Sequence, residues 1–327
     1  MTADLPCVPG RVSIIIPTRD RRDELVECLE SIGRQDHAEC EVIVVDDHSE
    51  DDTAEYVAEH YPHVTVIVTK ARRQPSFVRN LGLRAATGEF VLFLDSDSEL
   101  PRPGSLTAMV RTMTGHPEVA ILGGEIKVHG PRQDEAYGRN VRFNGETCAV
   151  AASAAAPDEL VDCDYVATCN CFGRAEAMRQ AGGFDPYYGF GGEDVDFGLR
   201  VARGRRCCVS YATAVRHKQS PRGRNPDETY RYHCARVRQQ MKNAPTARFL
   251  AGLLYDLGQV LLFYLLLIPK LIVKLALRRP IRRENLIGGA LILKAYCVNA
   301  PRFARIRAAR DADFLSDEQM AVFKEQT

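Results

Sequence analysis

From residue 12 to about 128, short β-branched runs alternate with longer amphipathic stretches. VSIII (12–16), EVIVVD (41–46), VTVIV (64–68), FVLFLD (90–95) and VAILGGEI (119–126) predict strands, with helices over 21–34, 52–60, 76–86 and 103–115 between them. Asp51 or Asp52 and Pro103 supply helix-start signals. Apolar strands in a β-α-β-α order predict a mainly parallel sheet covered on both faces. Ligands of such sheets lie outside the carboxyl ends of the strands, so the polar residues that follow each strand carry the interest.

Residues 129–162 show no clear period and read as an insertion or mobile loop. Regular signals resume at 165: a helix near 174–181, a turn at Gly182 and Gly183, a helix opening at 193, and a strand near 206–212. A strongly basic helix follows at 230–244, and no internal repeat is visible. From Phe249 to Leu277 the chain turns apolar, interrupted by Asp256, Gln259, Pro269, Lys270 and Lys274. On a helix Asp256, Gln259, Lys270, Lys274 and Arg278 fall within an arc of about 100°, which suits a helix lying in a membrane interface. Arg278, Arg279, Arg282 and Arg283 follow at once and favour anionic headgroups. A second apolar stretch, 286–298, is too short to span. A buried helical hairpin and a true span remain open as alternatives for 249–277.

Composition narrows the setting. The 327 residues carry 43 Lys plus Arg against 43 Asp plus Glu, so no bulk attraction to nucleic acid is expected. No signal peptide is visible. Eleven scattered cysteines do not form a secreted disulfide framework and point to the reducing cytosol. Cys163, Cys169, Cys171, Cys207 and Cys208 lack C-x-x-C spacing and read as small buried residues rather than zinc ligands.

Two constellations can carry chemistry. Asp95-Ser96-Asp97 directly follows the strand FVLFLD, where two carboxylates can reach one hard divalent cation, Mn²⁺ or Mg²⁺. Such a turn can also be merely solvated, but the same sheet edge presents Pro17-Thr18-Arg19 and Asp46-Asp47. The second is Gly191-Gly192-Glu193-Asp194-Val195-Asp196 at a helix start, where carboxylates also favour the helix dipole. Asp196 is expected to pair with Arg200 one turn on. Tyr187, Tyr188 and Phe190 could stack on a sugar or simply pack, and His217 could join a site or be structural. Arg222 and Arg224 could close over phosphates or be solvated.

The ordered blocks VSIIIPTRD, EVIVVDDHSEDDT, VRNLGLRAATGEFVLFLDSDSE and GGFDPYYGFGGEDVDFGLRVARGRR resemble the family 2 glycosyltransferases of GT-A fold, over residues 12 to about 218. The resemblance implies an α/β fold of GT-A type, a mainly parallel central sheet flanked by helices. A catalytic domain over 1–244 would divide into a nucleotide-sugar-binding half (12–128) and an acceptor-binding half (129–244). Residues 245–327 would form a helical membrane-associating region. It further implies a nucleotide-diphosphate sugar donor, a divalent metal, and inversion at the anomeric carbon. By the same resemblance Pro17, Thr18 and Arg19 line the nucleoside pocket and Asp47 accepts from the base. Arg79 lies near the base or diphosphate. Asp95 with Ser96 serves the ribose or a metal-bound water, Asp97 holds the metal, and His217 completes its shell or contacts the diphosphate. Asp194 is the general base and Glu193 orients the acceptor or the base.

An apolar segment at 249–298 suggests a glycan or lipid-linked acceptor at the cytosolic membrane face, reached by peripheral or monotopic attachment. Two alternatives are a sugar nucleotidyltransferase and an inactive sugar-nucleotide-binding module. The first would show a glycine-rich phosphate loop where PTRDRRDE stands, and the intact acidic residues speak against the second.

Overall fold

The computed structural model describes residues 7–128, 138–150, 159–188, 191–218, 228–276 and 284–325. In chain order its elements begin with β1 (Val8–Thr18), α1 (Arg22–Gly33), β2 (Cys40–Asp46), α2 (Thr53–His60), β3 (Thr65–Val68) and α3 (Pro75–Ala85). There follow β4 (Gly88–Phe93), β5 (Ser98–Glu99), α4 (Ser105–Gly115), β6 (Val119–Val128), β7 (Arg139–Val141), β8 (Thr147–Ala149) and β9 (Leu160–Asp162). Then come β10 (Cys171–Arg174), α5 (Ala175–Gln180), α6 (Glu193–Val201), β11 (Arg206–His217), α7 (Glu228–Asn243), α8 (Thr246–Ala276), α9 (Glu284–Asn299), α10 (Phe303–Ala308) and α11 (Asp317–Glu325).

Strands β3-β2-β1-β4-β10-β6-β11-β5 form one sheet in that order, with β9 also paired to β11. The β1–β2, β2–β3, β1–β4 and β6–β11 pairs are parallel. Strand β10 runs antiparallel between β4 and β6, so the expected parallel core is split by a strand that periodicity did not reveal. Short β9 falls within the stretch read as loop, and β7 pairs with β8 apart from the main sheet.

Successive strand residues point to opposite faces, and here both faces are covered. Ile14, Ile16, Val42 and Val44 pack with Leu25 and Leu29 of α1 and with Leu106 and Met109 of α4. Ile15, Ile43, Val45, Val91 and Phe93 pack with Val78 of α3, Met178 of α5 and Phe197 of α6. Each such side chain contributes about 1.5–3 kcal/mol by leaving water. Pro75 opens α3, and a side chain at Gly82 would overlap Ile15, so glycine lets this helix lie close on β1.

The chain divides into two compact units: Met1–Asn140 with Ala149–Arg222 and Asp311–Thr327, and Val141–Cys148 with Gly223–Arg310. The terminal segment, placed by sequence with the membrane-associating region, here groups with the sheet. Glycines at positive φ make this approach possible, since a side chain at Gly182 or Gly183 would collide with Ala312 or Leu315. The Phe314 N–H donates to Gly182 O at 2.9 Å, and Leu315 joins the core beneath α3.

The second unit is helical. Val237 and Met241 of α7 pack with Ala295 of α9 and Ile306 of α10. Asp256 belongs to the polar arc that periodicity sets toward headgroups, but its side chain turns inward. Arg236 of α7 meets it at 2.8 Å and the Tyr296 O–H donates to it at 2.8 Å, a buried charge met from two sides. The outward side of α8 is consequently apolar: Leu254, Leu261, Leu265 and Ile272 are each at least 60% exposed. By length and composition this helix could cross a membrane over Thr246–Ile272. Arg278, Arg279, Arg282 and Arg283 lie outside the described residues.

Candidate active site

The carboxyl ends of β1, β2 and β4 meet at one edge of the sheet, as the parallel register of Thr18 with Asp46 requires. Pro17 pairs in register with Val45, and Thr18 is buried, its carbonyl accepting from the Asp47 N–H at 2.9 Å. Asp47 is gripped at Oδ1 by the Arg73 N–H at 2.6 Å and the Thr69 hydroxyl at 3.4 Å. Burial pushes its carboxyl up, and the bond from Arg73 opposes that shift. The buried Asp46 instead closes its own loop, accepting from the Ser49 N–H at 2.7 Å.

Beyond β4 the chain makes a tight turn in which the Ser98 N–H donates to Asp95 O at 2.9 Å. The turn buries Ser96 and Asp97 and leaves the Asp95 side chain partly open. Strand β11 extends five residues past its expected end at 212, and its register sets His217 opposite Ser98 of β5. This two-residue pairing brings together positions more than a hundred residues apart. His217 Nε2 lies 3.2 Å from Asp97 Oδ1, and the Lys218 N–H donates to Asp97 O at 2.9 Å. Ligand atoms of Asp95, Asp97 and His217 all lie within 4.8 Å of one another. Burial works against charge on His217, yet hydrogen bonds to Asp97 and Cys169 drive its pKa up to about 11. Two carboxylates and one imidazole, gathered this closely around a buried acid, fit a divalent cation of the Mn²⁺ type.

Arg79 links the two constellations. Buried on α3, it reaches Asp95 Oδ1 at 3.1 Å and Glu193 Oε1 at 3.3 Å, and its guanidinium sits 5.7 Å from the Phe184 ring centroid. Burial opposes its charge, but Asp95 and then Glu193 more than offset that and hold its pKa above the ordinary value. Its neighbour Asn80 fixes the opposite wall: Nδ2 donates to Phe184 O and Oδ1 accepts the Phe184 N–H, both at 2.8 Å.

Glu193 and Asp194 stand in the first turn of α6, with Gly192 before the helix at φ +87° and Gly191 at φ +96°. The Gly191 N–H folds back onto Glu193 Oε2 at 2.7 Å. Asp194 is half-buried and accepts from the Val195 N–H at 2.8 Å. Burial foremost, and then the charge of Glu193, push the Asp194 carboxyl up to about 7. Asp196 is fully buried and pairs with Arg200 Nε at 2.9 Å, as expected, while Arg200 also donates to Gly183 O. Tyr188 is buried with its O–H toward Asp196 at 3.5 Å, a packing contact, and Tyr187 is half-buried. Phe190, Arg222 and Arg224 lie outside the described residues. Cys169 and Cys171 are buried thiols, and none of the eleven cysteines forms a disulfide.

Sequence reading did not single out Arg21, whose Nη1 lies 3.3 Å from Asp97 Oδ2. The signal was the basic cluster after β1, but its members go separate ways. Arg19 turns to Asp20 at 3.2 Å and Arg22 to Asp52 at 2.8 Å.

The sheet and its acidic edge define a protein of the GT-A glycosyltransferase class. The chain belongs to the family 2 glycosyltransferases: the family group 2 model matches residues 90–280 and the family 2 model residues 13–163. It is 38% identical over 94 residues to the uncharacterized glycosyltransferase YibD of Escherichia coli K12, spanning 28% of this chain and 27% of that protein. It is 35% identical over 113 residues, 33% of this chain and 37% of the relative, to a Campylobacter jejuni GalNAc(5)-diNAcBac-PP-undecaprenol β-1,3-glucosyltransferase. The matched segments therefore span well under half of those relatives. Among solved structures, Staphylococcus aureus TarS 1–349, determined also with UDP-GlcNAc, superposes with a TM-score of 0.55 at 18% identity, covering 97% of this chain and 91% of that one. GalNAc-T7 with UDP, GalNAc and Mn²⁺ superposes with a TM-score of 0.58 at 15% identity, covering 73% and 48%.

Proposed function

We propose that the protein transfers a sugar, with inversion, from a nucleotide-diphosphate donor to a hydroxyl of a glycan or lipid-linked acceptor. The observation that carries this reading is the buried guanidinium of Arg79, which ties Asp95 to Glu193 and so joins the donor-side acids to the acceptor-side acids. Pro17, Thr18, Arg19 and Asp47 line the nucleoside site, with Asp47 as acceptor for a base N–H. Asp97, Asp95 and His217 would hold a divalent cation, which when bound neutralises charge building on the leaving diphosphate. Ser96 keeps the two acids at their spacing within the turn.

Asp194 takes the proton of the acceptor hydroxyl as its oxygen bonds to the anomeric carbon. On the opposite face the bond from that carbon to the diphosphate oxygen breaks. A sugar hydroxyl is a weak nucleophile until its proton is removed, and a carboxylate titrating near neutrality suits that task. Glu193, fixed by Arg79 and the Gly191 N–H, orients the acceptor beside it.

Calorimetric titration with nucleotide sugars tests the donor class. A nucleotide-diphosphate sugar is expected to bind in the presence of Mn²⁺ and at least about tenfold more weakly without it, since the like negative charges of the diphosphate and of the Asp95 and Asp97 carboxylates then repel unscreened. Binding that ignores the cation, or no binding of any such donor, would refute this reading.

The apolar outward side of α8, with Asp256 turned away from it, supports attachment of the second unit to a bilayer, which we place at its cytosolic face. Leu261 and Leu265 are each at least 60% exposed, and burying such side chains contributes about 1.5–3 kcal/mol apiece. The full chain should therefore co-float with anionic vesicles, and the Leu261→Glu, Leu265→Glu double variant should remain in the soluble fraction at unchanged melting temperature. Equal flotation of the two proteins would argue against this face.

A further inference from the structure

We infer that Arg21 is a counter-ion shared in turn between Asp97 and the donor's diphosphate, holding the acid before a cation arrives and turning to the phosphates afterwards. The inference rests on the donor and cation sites proposed above. Asp97 is 3% exposed, and a carboxylate that deep needs compensating positive charge. It is met on both oxygens, by His217 at 3.2 Å from Oδ1 and by Arg21 at 3.3 Å from Oδ2.

Arg79 and Arg21 are not equivalent. Arg79 has a side chain only 6% exposed and is committed to two carboxylates, whereas the Arg21 side chain is 22% exposed. Arg21 stands in the loop between β1 and α1, two residues past Arg19 of the Pro17-Thr18-Arg19 segment, so a change of rotamer would carry its guanidinium along the nucleotide-facing edge. A divalent cation seated on Asp97 competes with the guanidinium for the same oxygens, and like charges so close repel. The negative charge that then enters the site is the diphosphate, whose oxygens match the planar fork of an arginine. Arg21 thus opposes the cation in the empty protein and favours the nucleotide in the loaded one. Removing it should shift the two affinities in opposite directions, which loss of a purely structural contact would not do.

The test compares Arg21→Gln, Arg21→Lys and the parent as full chains, using Mn²⁺ alone and then UDP at saturating Mn²⁺, both by calorimetry. In Arg21→Gln, Mn²⁺ should bind about three- to tenfold more tightly, the effect of removing a partly exposed competing charge. UDP should bind about tenfold more weakly in the same variant. Arg21→Lys, which keeps the charge but not the fork, should restore parental Mn²⁺ affinity and recover only part of the UDP affinity. Weakening of both ligands together, or no change in either, overturns the role given to Arg21. If Arg21→Gln fails to fold, the lysine variant decides alone: parental UDP affinity overturns the inference. Asp97→Asn separates this from the underlying reading, because parental Mn²⁺ affinity in that variant removes the cation site itself, whatever Arg21 does.

Discussion

Asp194→Asn should lower sugar transfer by about 100- to 10,000-fold, the range associated with a positioned general base, while UDP and Mn²⁺ bind as in the parent. The amide keeps the shape of the side chain and can still accept from the Val195 N–H at 2.8 Å, so α6 should begin as before. What it cannot do is take a proton. The pH dependence follows from the same carboxyl, which burial and the neighbouring Glu193 push up to about 7. The basic form is the working form, so kcat/KM should fall on the acid side of about 7 and level off above it. Stability runs the other way. Between the ordinary carboxyl value of 3.8 and about 7 the folded chain holds a proton that the unfolded chain releases, so the stability due to this group falls as pH rises through that window. Asp194→Asn is accordingly expected to melt at or above the parent temperature at pH 8, a stability held back by function. Retained transfer would remove Asp194 from the base position, and an unchanged acid limb would do the same.

What the sequence made legible was whatever repeats or sits at a strand end. Strands β1, β2, β4 and β6 carry long β-branched or apolar runs buried on both faces, and their pattern alone sets Thr18, Asp47, Asp95 and Asp97 at one edge. The Asp196–Arg200 pair followed from helical spacing alone. Pairings between distant, short segments were not legible. Strand β10 is four residues long and contains glycine, so it has no period to read, yet it separates β4 from β6. Strand β5 has two residues, and only its register with β11 carries His217 to Asp97. Arg21 is one of several arginines in PTRDRRDE, and composition cannot say which of them crosses to the acid. The inward turn of Asp256 has the same origin: helical periodicity gave the arc but not Arg236 of another helix, which draws this one member of it into the protein.

Arg79→Met should be the most damaging single change to the folded state, because it removes one charge that serves two acids. Methionine approximates the length of the arginine stem and fills much of its volume, so packing against Phe184 is largely retained while the guanidinium is lost. Glu193, whose side chain is 8% exposed, then keeps its charge without the partner at 3.3 Å, and Asp95 loses the one at 3.1 Å. Breaking a buried pair by deleting one partner costs about 3–5 kcal/mol, equivalent to roughly 6–20 °C in melting temperature for a unit of this size. A lysine there would carry the charge as a point and could not span both carboxylates, so Arg79→Lys should recover only part of the loss. High salt should not rescue either variant, since screening reaches buried pairs poorly. A second consequence separates this charge effect from simple cavity formation. Arg79 pulls the Asp194 carboxyl down against the upward push of burial, so in Arg79→Met the acid limb of any residual transfer should move above its parental position. A variant that melts within about 1 kcal/mol of the parent, or whose acid limb stays in place, would mean that Arg79 does not bind the two halves of the site together.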